Sequence, residues 1–114
     1  MSQLGDKIRK AREFTREIEG WRLRLRRPTD VEAASILRSG ARDALTVATT
    51  FVFGWEGVKE SDLVPSGNNG EIEFDADAWA EIVADRPELW EPLSTAIVDS
   101  WVQFNEARED RKKS

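Results

Sequence analysis

Between Glu13 and Arg27 the chain reads EFTREIEGWRLRLRR, alternating residue by residue about a glutamate–glycine pair. A two-residue turn at Glu19-Gly20, with glycine supplying the positive φ that such turns need, sets Ile18 opposite Trp21, Arg16 opposite Leu23 and Phe14 opposite Leu25. All but Arg16 are apolar, so this face turns to the core. The other face sets Glu17 against Arg22, Thr15 against Arg24 and Glu13 against Arg26. Each opposite-charge cross-strand pair contributes about 0.2–1 kcal/mol. A slip of one residue would lose both patterns together. A helix running through Glu19 is the rival reading; two independent patterns agreeing on one register favour a β-hairpin.

The flanking segments follow helical rules. Residues 4–12 predict a short helix with Leu4, Ile8 and Ala11 on one face. After the hairpin, Pro28-Thr29-Asp30-Val31-Glu32 is a helix start in which Thr29 and Glu32 cap each other's free amides. The helix then carries Val31, Ala34, Leu37, Ala41, Ala44, Leu45, Ala48, Phe51 and Val52 at three-and-four spacing, with Gly40 marking a break or a close crossing. Thr46, Val47, Thr49 and Thr50 suit a strand by propensity, but the spacing outweighs this. Glycines in Gly54-Trp55-Glu56-Gly57 close the helix.

Residues 58–70 read as a loop. Glu71-Ile72-Glu73-Phe74 alternates again and predicts a short third strand, with Ile72 and Phe74 on the core face and Glu71 and Glu73 meeting the arginines. Asp75 caps a short helix that turns Trp79, Ile82 and Val83 inward. Asp85 and Pro87 restart helix, and Leu89, Trp90, Leu93, Ile97, Trp101 and Phe104 form its apolar stripe. Pro92 predicts a kink or a later true start. From Asn105 onward the residues are almost wholly polar and charged. The expectation is one α+β domain over residues 1–104, with a charged, flexible tail over 105–114. Its sheet is small, three-stranded and antiparallel, the hairpin plus a short third strand, with three to four helices packed on one face.

Composition narrows the chemistry. The chain has no cysteine, histidine or tyrosine, which removes disulfides, thiolate metal sites, the commonest general base and the commonest metal ligand. Ser35, Ser39, Ser94 and Ser100 have no histidine to activate them. Gly67 and Gly70 lack the Lys-Ser/Thr of a phosphate loop. Asp75, Asp77 and Glu81 offer oxygen ligands, but not at calcium-loop spacing, and helix capping explains them. No catalytic residue, metal site or cofactor site is expected, so the reading is not an enzyme. No apolar run approaches the roughly 20 residues of a membrane helix, and the N-terminus lacks the apolar core of a secretory signal. A cytoplasmic protein is the plain expectation.

Charge is unevenly spread. The net −5 combines +5 over residues 1–27, −1 over residues 28–54, −12 over residues 55–110 and +3 over the last four. A basic head and an acidic body can pair within a chain or between subunits. The row Arg22, Arg24, Arg26, Arg27 could contact phosphate, although the facing glutamates make a salt-paired strand the better reading. Arg38 and Arg42 around Gly40 superficially suggest a DNA-binding helix–turn–helix, which the acidic body opposes. Five tryptophans are too many for so small a core to enclose wholly, so one or two should face a partner. Trp79, Trp90 and Trp101 are the candidates.

Three motifs together carry a resemblance. Leu25-Arg26-Arg27-Pro28-Thr29-Asp30, then Gly54-Trp55-Glu56-Gly57-Val58, then Ile72-Glu73-Phe74-Asp75 leading into two acidic helices resemble the tail assembly chaperones of long-tailed bacteriophages and prophages. The likeness covers residues 13 to about 104. It departs at Glu73, where the family commonly has proline, in a longer loop, and at Ala78-Trp79, where Ala-Leu is usual. The resemblance implies a non-enzymatic protein without cofactor that binds the tape measure protein during tail morphogenesis. The tail tube protein and further copies of the chain are additional candidate partners; nucleic acid and membrane are not. It implies action in the cytoplasm of the bacterial host and absence from the mature virion. Gly54, Trp55, Glu56, Gly57 and Val58 are the residues matched to the family motif, although closing a helix with Trp55 in the core explains them too. The alternatives are a structural head–tail or tail adaptor and a small DNA-binding regulator.

Overall fold

The hairpin forms in the register that its alternation dictates. In the computed structural model, which describes residues 2–39 and 44–113, β1 (Glu13–Ile18) pairs antiparallel with β2 (Trp21–Arg26), Ile18 opposite Trp21 and Glu13 opposite Arg26. Glu19 and Gly20 both take positive φ, 52° and 82°. That is the turn whose twist matches the strands it joins.

The third strand is not the expected one. β3 (Val52–Glu56) pairs with the free edge of β2, giving the order β1-β2-β3, while residues 71–74 contribute only a single bridge from Glu71 to Lys59. The helix expected to run to Val52 stops at Thr50. Helical spacing at Ala48, Phe51 and Val52 lost to an unpaired edge of β2, whose backbone groups need partners more than one extra helical turn does. Gly54 therefore sits mid-strand rather than ending a helix. A Cβ there would lie 3.0 Å from Cδ and 3.2 Å from Cβ of Arg24, beside the irregularity between Arg24 and Leu25, so the glycine admits a close approach between strands.

The arginine face is paired, but with other partners. Arg22 meets Glu56 of β3 at 3.0 Å, Arg24 reaches Glu13 diagonally at 3.8 Å, and Arg26 grips Glu32 through two bonds of 2.8 and 2.9 Å. Neither Glu71 nor Glu73 supplies a carboxylate to this face, because β3 occupies the place predicted for their strand.

The helices begin at α1 (Gln3–Ala11), ahead of β1. α2 (Asp30–Ser39) starts at the expected reciprocal cap: the Glu32 amide donates to Thr29 Oγ1 at 3.2 Å and the Thr29 amide to Glu32 Oε1 at 2.9 Å. α3 (Ala44–Thr50) comes next; the break expected at Gly40 lies outside the described residues. After β3 come α4 (Glu60–Leu63) and α5 (Ala76–Ala84), the latter capped by Asp75, which accepts from the Ala78 amide at 3.1 Å. Asp85 ends α5 instead of capping the next helix, since only Arg86 separates it from a 3-10 turn at Pro87–Leu89. α6 (Trp90–Lys113) then has Pro92 in its first turn, where a missing N–H costs nothing. The charged tail expected from Asn105 is a continuation of α6. Arg108 holds it to the start of α2 by bonding Asp30 at 2.9 Å.

The core lies between one face of the sheet and α3, α5 and α6. Leu23, Leu25, Val83, Leu93 and Ile97 are fully enclosed. Trp79 stands at the centre, edge-on to Trp21 and Trp55 at 6.5 Å each, with its indole N–H donating to Ala48 O at 3.1 Å.

Candidate functional site

The residues singled out by sequence divide between core and surface. Within the Gly54–Val58 motif, Gly54, Trp55 and Val58 are buried and only Glu56 and Gly57 are exposed. The Trp55 indole donates to Ile72 O at 2.8 Å, and its ring meets Phe74 edge-on at 4.9 Å. The motif fastens the end of β3 to the segment before α5. Ile72 and Phe74 thus reach the core face as expected, though not as a strand. Gly57, at φ 73°, turns the chain out of the sheet.

Trp79 cannot face a partner: only 1% of it is exposed. Its place on α5, directly under the sheet, puts the largest ring where the core is deepest. Trp90 and Trp101 are half-buried, and both indoles are satisfied internally. Trp90 donates to Val83 O and Trp101 to Asp30 Oδ1 at 2.9 Å. Asp30 thus receives Trp101 and Arg108 together, and the Arg108 bond, followed by that of Trp101, holds its carboxyl below the usual range.

Two surfaces among the described residues stand out beside the core. The first is an apolar flank. On α2, Val31 is 80% and Leu37 66% exposed, with exposed Ala34 between them at helical spacing, while Ala33 and Ile36 supply the inward face. Sequence reasoning set Val31, Ala34 and Leu37 on one apolar stripe without saying what covers it; the structure turns that stripe to solvent. The missed signal is that α2 carries two apolar stripes and only one can face the sheet. On α1, Leu4 is 66% and Ile8 48% exposed. Ile8 and Val31 edge an open hollow floored by Phe104, over whose ring the Arg27 guanidinium sits at 3.5 Å.

The second surface is a groove of about 540 Å³ between α4 and α5. Leu63, Val64, Ala78 and Ile82 provide its apolar lining, and Glu81, Asp85 and Glu88 its acidic rim. Arg86, the cation in its lining, is spread over the Trp21 ring at 5.4 Å. The groove continues past Arg86 into a smaller hollow at Trp21, Glu56 and Gly57.

Among the described residues no group of three or more acidic, His or Cys side chains is placed to hold a metal ion, and Ser100 spends its hydroxyl on Ile97 O. No helix among them is long and apolar enough to cross a membrane. No family model matches the chain, and neither does any curated protein or solved structure. What the geometry shows is apolar side chains exposed to solvent beside a closed core.

Proposed function

We propose that the chain is a non-enzymatic, polypeptide-binding protein, a tail assembly chaperone of a phage or prophage that holds the tape measure protein during tail morphogenesis. The observation that carries this reading is the outward stripe of α2, Val31–Ala34–Leu37, exposed on a molecule whose own core is already closed. Contiguous exposed apolar residues on a folded body favour a protein partner. Their helical spacing suits a client that is itself helical and partly apolar. One such stripe binds weakly, and many copies along one long client would add their affinities through avidity. The acidic body supports the reading further, because surplus negative charge keeps a loaded complex soluble. The three sequence motifs shared in outline with the chaperone family support the specific client.

Sequencing the flanking genes, and co-expressing the chain with any long, coiled-coil-rich reading frame found there, tests the proposal. The client should stay in the soluble fraction with the native chain and precipitate with a Val31→Asp/Leu37→Asp variant that keeps its native circular dichroism. A client equally soluble with either form, or a gene neighbourhood holding no such frame, removes the reading. Recovery of the protein in purified virions would favour a head–tail adaptor instead.

A further inference from the structure

The basic helix α1 and the acidic groove are complementary surfaces that one chain cannot bring together. None of α1 is buried. At about 100° per residue, Leu4, Ile8 and Ala11 fall in one narrow stripe, with Lys7 on one flank and Arg12 on the other. Arg9, further round, is paired with Asp6. The groove presents the reverse: an apolar floor and a rim of Glu81, Asp85 and Glu88. The two lie at opposite ends of the hairpin. α1 runs through Arg12 into Glu13, paired with Arg26, whereas the groove's Arg86 covers Trp21 beside the turn. A six-residue strand spans about 17–20 Å, so α1 cannot reach its own groove while the sheet is intact.

We propose that α1 of one copy docks in the α4–α5 groove of a second copy, with Leu4 and Ile8 on the floor and Lys7 and Arg12 against the acidic rim. Donor and acceptor are different patches, so the contact is heterologous and propagates head to tail into an open chain or a closed ring. The buried area is small and the charges are rim charges, so each link is weak and sensitive to salt. Ile8 shares a hollow with Val31, so docking of α1 crowds the near end of the α2 stripe and leaves Ala34 and Leu37, further along, for a client. Self-association is read from mass and salt dependence and client binding from client solubility, so failure of one is distinguishable from failure of the other.

Sedimentation velocity on the full chain, over a concentration series and at two ionic strengths, tests this. At low salt the mean mass should rise with concentration. At about 0.5 M salt, where the screening length falls to about 4 Å, association should weaken by about tenfold or more. Ile8→Asp and the pair Glu81→Lys/Asp85→Lys alter exposed positions on the two surfaces, and each variant alone should stay monomeric with unchanged circular dichroism. Mixed in equal amounts they should form a one-to-one dimer and nothing longer, since one brings an intact groove and the other an intact α1. A contact of α1 with α1, or of groove with groove, cannot produce that result. A monomer at every concentration, self-association indifferent to both variants, or a mixture without heterodimer overturns the proposal.

Discussion

In the body of the molecule, Leu23, Leu25, Val83, Leu93 and Ile97 are sealed between the sheet and its covering helices; on the flank, Val31 and Leu37 of α2 and Leu4 and Ile8 of α1 stand in solvent. The residue types are the same, and on the helices so is the spacing. What differs is whether another element closes over them. An apolar stripe records that something should cover it, not whether the cover comes from the same chain. The body thus holds the fold, and the flank is free to bind.

The sharpest way to break this contrast is at Trp79. Trp79→Ala removes the ring between Trp21 and Trp55 and leaves Ala48 O without its donor. The expected loss is about 3–5 kcal/mol in urea unfolding; a loss under about 1 kcal/mol would mean that the body is not the stabilising region.

A smaller effect belongs to the junction between the two regions, where Glu32 bonds Arg26 of β2 and caps α2. The Arg26 bond, ahead of that from the Thr29 amide, lowers the Glu32 carboxyl from its ordinary 4.5 to about 2. A carboxyl lowered by folding stabilises fully above its unfolded value and loses that contribution as pH falls from about 4.5 through about 2. The group is largely solvent-screened, so the contribution is roughly 0.5–1 kcal/mol. Glu32→Gln should lower stability at neutral pH by that amount and flatten the acid limb of the stability profile. An unchanged limb would detach the junction from the body.

The smallest expected effect sharpens the contrast from the other side. Val31→Asp and Leu37→Asp should each change unfolding free energy by no more than about 0.5 kcal/mol, because neither side chain packs in the core. Destabilisation above about 1 kcal/mol would show the stripe to be structural, and the client reading would lose its surface.

Much of the fold was legible in the residues, and the surfaces much less so. The hairpin, its turn, the Thr29–Glu32 cap, the Asp75 cap and the inward placement of Trp79, Leu93 and Ile97 all follow from local patterns. The same patterns misplaced the third strand by nearly twenty residues and left open which way the Val31–Leu37 stripe faces. They also offered Trp79 as a partner-facing ring, although its place on a strongly apolar helix argued for burial. The groove could not be read at all, since Leu63 and Ile82 lie far apart in sequence and meet only when α4 packs beside α5.

The sequence by itself determined those features whose partners lie within a few residues: the alternation that sets one strand against the next, and the caps that close a helix on its own first turn. Their energies are local and need no knowledge of the rest of the chain. Only the tertiary structure decided which segment completes the sheet, where the arginines find their carboxylates, and which apolar stripe is left uncovered. Those outcomes depend on competition among distant segments for one strand edge and one sheet face, and a local pattern carries no record of its competitors.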